Sequence, residues 1–163
     1  MSARSWLPRA SHTETFYFHF PTKEHVLLEL ECGEEARMAT ELARFLQGRP
    51  ALAAALTKVV SLVAGLEQRL GPHLFKELLA FHFSPSRPLK DEWTDHPVIV
   101  LLVDEIELAR GNGGVHPEVD AFYSAMFFLL GIYGVLTTTD NPSSRERMLA
   151  ELVASAVRGL AVR

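Results

Sequence analysis

Proline and glycine are spaced along this chain so that the blocks between them have the length of helices. The breaks are Pro21, the triplet Gly48-Arg49-Pro50, the pair Gly71-Pro72, the proline-rich run from Pro85 to Pro97, the stretch Arg110 to Gly114, and Pro117. Inside a helix a proline removes a backbone hydrogen bond and clashes with the preceding turn, so each break bounds an element rather than lying within one.

The blocks carry helical periodicity. Thr22 is placed to cap a helix running to about Gln47, in which Leu27, Leu30, Met38, Leu42 and Phe45 recur at helical spacing, with Glu31, Glu34, Glu35 and Glu41 assigned to other faces. Gly33 weakens it by about 1 kcal/mol relative to alanine. Residues Pro50 to Leu70 form an Ala- and Leu-rich second block, and a shorter one runs from His73 to about Phe83. The sequence SPSRPLKDEWTD is then a loop, with Asp95 a cap and Pro97 at the harmless first position of the next helix. That block, VIVLLVDEIELA, ends at RGNGG; its β-branched start also suits a buried strand, but no partner strand is evident and the acidic continuation favours helix. Pro117, Glu118 and Asp120 start a further helix reaching about Thr138, and Ser143 with Glu146 makes a capping box for a last one ending near Gly159. About seven helices with short connections make an all-α bundle.

The bulk numbers narrow the function classes. With 163 residues the chain suits one domain, or one with a small appendage, and 48% hydrophobic residues suffice for a core. A net charge of -4 means that any nucleic-acid contact needs a local basic patch. The single cysteine, Cys32, cannot close an internal disulfide and fits a reducing cytoplasm. No secretory signal pattern opens the chain, and the apolar run from Ala125 to Leu136 is shorter than the ~20 residues of a bilayer span, so it reads as a buried helix with no membrane role.

One stretch is specific. TETFYFHFPTKEHVLLELE, from Thr13 to Glu31, closely resembles the boundary between the third and fourth helices of TetR-type transcriptional regulators, where an aromatic residue ends the recognition helix, a His-Phe pair fills a turn, and a lysine opens the long next helix. The matching positions are Thr15, Phe16, Tyr17, His19, Phe20 and Lys23. The resemblance implies that Phe16 and Phe20 anchor the short helix. It gives Tyr17, His19 and Lys23 to phosphate oxygens and makes Thr13 and Glu14 candidates for base edges. The far end resembles the same family. SAMFFLLGIYGVL and RERMLAELVASAVRGL look like the two helices that pair with their counterparts in a second subunit, giving a homodimer through Ala125, Phe128, Gly131, Ile132, Leu149, Leu152, Val153 and Ala156.

Upstream of Thr13 the family pattern is missing. MSARSWLPRASH is broken by Pro8 and has little apolar anchorage beyond Trp6 and Leu7, where the family has two supporting helices. Residues 1–31 therefore read as an incomplete helix-turn-helix remnant and residues 32–163 as a ligand-binding and dimerisation domain. In the family resembled, the central helices hold a small effector and the long helix, here Thr22 to Gln47, swings when it binds. Phe75, Leu79, His82, Phe83, Val103, Phe122 and Phe127 are the candidate lining residues for an apolar effector, with His82 expected to be a buried imidazole bonded to a carbonyl.

Catalysis is not expected. There is no Gly-x-Ser-x-Gly elbow, phosphate-binding glycine loop or His-x-x-x-His pair, and the seven histidines are scattered. Asp104, Glu105 and Glu107 read as a solvated acidic face rather than a metal site, and no cofactor is implied. The leading expectation is a ligand-responsive TetR-type repressor. The alternative is a headless interaction subunit that pairs with an intact relative and sequesters it.

An isolated helix as short as Thr13–His19 is marginal in water, and residues 1–25 carry three basic against two acidic side chains. Operator DNA is thus a partner only if the missing helices are supplied. The polypeptide alone should show no sequence-selective binding; a nanomolar, selective shift of duplex DNA at physiological salt would overturn that expectation.

Overall fold

The computed structural model describes residues 22–85 and 96–162, and among them are six α-helices and no strand. They are α1 (Lys23–Leu46), α2 (Leu52–Leu70), α3 (Pro72–His82), α4 (Pro97–Gly111), α5 (Ala121–Thr138) and α6 (Pro142–Leu160). The all-α bundle expected from the proline and glycine breaks is what forms. Thr13, Glu14, Thr15, Tyr17 and His19 lie outside the described residues, as does the proposed cap Asp95. Lys23 is described: on the first turn of α1, its Nζ makes an exposed ion pair with Glu77 of α3 at 3.1 Å.

Local chemistry sets the boundaries. Thr22 caps α1 by accepting from the His25 amide, and Asp120 caps α5 by accepting from Tyr123 N–H at 2.9 Å. The last helix begins earlier than the capping-box pattern suggests. Asn141 is its cap, accepting from Ser144 N–H at 3.0 Å, while the Ser143 hydroxyl donates to Asn141 Oδ1. Gly71 closes α2 and opens α3 with φ of 77°, a conformation open to glycine at no steric cost.

Helix α2 is the centre of the bundle. Ala55, Leu56, Val59, Leu62, Val63, Leu66 and Glu67 are buried along it, and each of the other five helices packs against it. Helix α5 buries Ala121, Ala125, Phe128, Leu129, Ile132 and Leu136 in the same core. At 18 residues it is long and apolar enough to cross a membrane by length and composition, longer than the run from Ala125 to Leu136 suggests. Between α5 and α6 the backbones approach closely, and a Cβ on Gly131 would lie 2.9 Å from a methyl of Leu152. Leu27, Leu78 and Phe81 form a second, smaller cluster where α1 crosses α3. At the other end the chain after α6 is latched to the α4–α5 connection, His116 N–H donating to the Leu160 carbonyl at 2.8 Å.

Two buried carboxylates are handled in opposite ways. Glu67 is 5% exposed, and Arg145 Nη1 donates to it at 2.8 Å. The same guanidinium donates to the carbonyls of Thr139 (2.8 Å) and Leu136 (3.2 Å), tying α2, α5 and α6 together. Glu105, by contrast, is not on a solvated face as its acidic neighbours suggest. It is buried on the α4 stripe, three residues after Leu102, and burial pushes its carboxyl above the ordinary range.

Two outcomes follow. Arg145→Met should cost about 3 kcal/mol or more, because Glu67 is left buried without its partner, and adding Glu67→Gln should restore part of the loss. Denaturant unfolding of the single and double variants checks this; equal stability of the single variant and wild type would refute it. For Glu105 the folded state keeps its proton to higher pH than the unfolded chain, so stability falls as pH rises above the ordinary glutamate range. Glu105→Gln should therefore raise Tm more near neutral pH than in acid, and a gain independent of pH would contradict the assignment.

Candidate functional site

One face of α1 is unusual for a helix packed in a core. Leu27, Glu31, Met38 and Leu42 are its buried residues, and Glu34 and Glu35 lie a turn beyond Glu31. Residues spaced by three or four positions share a helix face, so the carboxylates are in register with the apolar stripe rather than on other faces. Together with Val63 and Leu66 of α2, Leu78, Leu79 and His82 of α3, Val98 and Ile99 of α4, and Leu129 and Tyr133 of α5, they enclose a cavity of about 60 Å³ that also receives His96.

The polar groups of this cavity are concentrated in pairs. His82, the last residue of α3, places Nδ1 against Glu31 Oε1, and His96, just before α4, places Nδ1 2.9 Å from Glu35 Oε1. A carboxylate only accepts, so Nδ1 carries the proton in each pair. His82 thus finds a carboxylate where a backbone carbonyl was expected. The two imidazoles meet edge to face, centroids 5.4 Å apart, and Phe83 packs its ring against both His82 (4.9 Å) and Tyr133 (6.3 Å). Glu34 is bound from the outside by Arg37 Nε at 2.9 Å and Arg69 Nη2 at 2.7 Å. Burial, followed by the negative charges of Glu35 and Glu31, pushes the Tyr133 phenol well above its ordinary range.

Of the lining residues expected from sequence, Leu79 and His82 are in the cavity wall and Phe83 touches two wall residues. The others are elsewhere. Phe75 is 0% exposed in the core, Val103 and Phe122 are half-buried against it, and Phe127 is 63% exposed beside a groove between α5 and α6. Glu31, Glu35, His96 and Tyr133 complete the wall without belonging to any sequence motif. The signal that could have found the first two is the one just described, acidic residues in phase with Leu27 and Met38. Among the described residues no three His, Cys, Asp or Glu side chains converge to hold a metal ion.

The face expected to pair subunits is partly spent inside this one. Ala125, Phe128, Ile132 and Leu149 are buried within the chain, and Gly131 makes room for Leu152. Leu152, Val153 and Ala156 are half-buried on α6. The exposed apolar stripe of α5 is instead Tyr123, Phe127 and Leu130, at positions i, i+4 and i+7, with the first two rings stacked at 6.2 Å.

No family model matches the chain, and no curated protein matches it. A solved structure described as "Molecular basis for control of antibiotic production by a bacterial hormones" superposes with a TM-score of 0.68 at 19% sequence identity, over 91% of this chain and 80% of that one. At that identity the likeness shows a shared fold.

Proposed function

We propose that this chain is the effector-binding and dimerising part of a ligand-responsive transcriptional regulator of the TetR type, with the α1–α5 cavity as its effector site and no catalytic activity or cofactor. One observation carries the reading. Helix α1 continues directly from the motif Thr13–Lys23, and it forms a wall of the cavity, fastened there by Glu31 to His82 and by Glu35 to His96. An occupant that competes for either pair acts on the helix that leads to the DNA-reading segment. A ligand shifts a conformational equilibrium only through contacts that differ between the two states, and these pairs supply such contacts. The fold shared with a structure concerned with hormone control of antibiotic production supports the same direction.

The partner in this reading is a second copy, meeting the first through α5 and α6. Tyr123, Phe127 and Leu130 are aromatic and aliphatic anchors of the kind that dominate interfaces, and Met148 adds exposed apolar surface on α6. Operator binding belongs to the dimer and requires a supported recognition helix.

Sedimentation velocity checks the pairing. Wild type should run as a dimer at micromolar concentration, and Phe127→Glu should weaken self-association by roughly tenfold or more. A wild-type monomer persisting to near-millimolar concentration would sink the homodimer. Recovery only as a mixed dimer with a related regulator would replace it with the sequestering subunit.

A further inference from the structure

We infer that the cavity accepts a small amphiphile with a short apolar body and a hydrogen-bond-donating head, preferentially a primary ammonium, seated against Glu35 and Tyr133. The inference rests on the reading of this cavity as the effector site and adds the chemistry of what fills it.

The wall supplies the body's environment. Met38, Val63, Leu66, Leu79, Ile99 and Leu129 are aliphatic or thioether groups, and a volume of about 60 Å³ limits the occupant to a handful of heavy atoms unless side chains move. Methionine at Met38 is the side chain best able to adapt.

The sign of the head follows from the polar groups. Three carboxylates line the cavity and, among the described residues, no lysine or arginine does. The nearby guanidiniums of Arg37 and Arg69 are engaged by Glu34, and among the described residues Glu35 is matched by the His96 imidazole alone. That imidazole can contribute at most one positive charge, so the Glu35–His96 pair is negative or neutral but never positive.

Capacity is the second argument. An ionised carboxylate accepts about four hydrogen bonds, and His96 occupies one site on Glu35. A head that donates finds acceptors remaining, along with the Tyr133 oxygen. An anionic head meets a carboxylate where little water screens it, beside a Tyr133 phenol that burial first, and the charges of Glu35 and Glu31 second, keep neutral. The Tyr133 ring adds a favourable face for a cation.

The test uses the full chain and three probes with one tail: n-pentylammonium, 1-pentanol and pentanoate, titrated by calorimetry with imidazole C–H resonances followed by NMR. Pentylammonium should bind at least about tenfold more tightly than pentanoate, with pentanol between them. It should move the His96 resonances while leaving those of exposed His73 in place. Glu35→Gln should abolish the ammonium preference and keep pentanol binding; if that variant fails to fold, the wild-type ranking and the His96 shift decide. Pentanoate binding as tightly as the ammonium overturns the head assignment and leaves the cavity as an effector site. Absence of binding by all three, or shifts confined to surface histidines, overturns the effector site as well.

Discussion

A helix surrounded by five others must satisfy or exclude every charge it brings inward. Helix α2 meets that constraint once, at Glu67, and the arrangement of the last two helices follows from the answer. Arg145 reaches in from the first turn of α6, neutralises the carboxylate, and uses its remaining donors on the unpaired carbonyls at the end of α5. One guanidinium thereby covers a buried charge and helps to close a helix end. A buried pair of this kind contributes little net stability beside a well-packed apolar replacement, but it fixes which helix turn faces which. Gly131 plays the complementary part further along, allowing α5 and α6 to come close enough for Leu152 to fill the gap.

Glu31 and Glu35 pose the same problem on α1 and receive a different answer. Among the described residues Glu31 pairs with the imidazole of His82 and Glu35 with that of His96, in hydrogen bonds that span 51 and 61 positions of the chain. An imidazole offers a carboxylate one N–H at a time, whereas a guanidinium brings five donors and a fixed charge. The Glu67 carboxylate is therefore tied through a guanidinium that also holds two carbonyls, the Glu35 carboxylate through a single imidazole N–H among the described residues. That difference separates scaffold from candidate site in a protein whose helices otherwise look alike.

How much of this could be read from the sequence depends on distance along the chain. Thr22 as a cap, Pro97 at a first helical position and the stop at Gly71 are local events, and the residues announce them. The misplacement of the last cap is also local. Asn141 and Ser143 can both cap, and Pro142 at the first helical position decides for Asn141. Partners separated by fifty residues leave no such mark. The cavity is therefore half visible: Leu79 and His82 stand out by composition, whereas His96 and Tyr133 acquire meaning only when α4 and α5 close the cavity that α1 lines. Phe75 and Phe127 show the limit of hydrophobicity as a guide, since one fills the core and the other faces out. Glu105 shows it for charge.

The small cluster of Leu27, Leu78 and Phe81 has a consequence for how α1 comes apart. It holds the opening turns of that helix to α3, separately from the main core that takes Met38 and Leu42, and Gly33 stands between the two anchorages with open space beside it. Glycine is the weakest ordinary residue at a helix interior. Opening the front of α1 exposes Leu27, Leu78 and Phe81 and breaks the Glu31–His82 pair while the main core stays closed, so the amides ahead of Gly33 have a lower-energy route to solvent exchange than those behind it. The rod has a soft joint, and the joint lies between its two ties to the cavity wall.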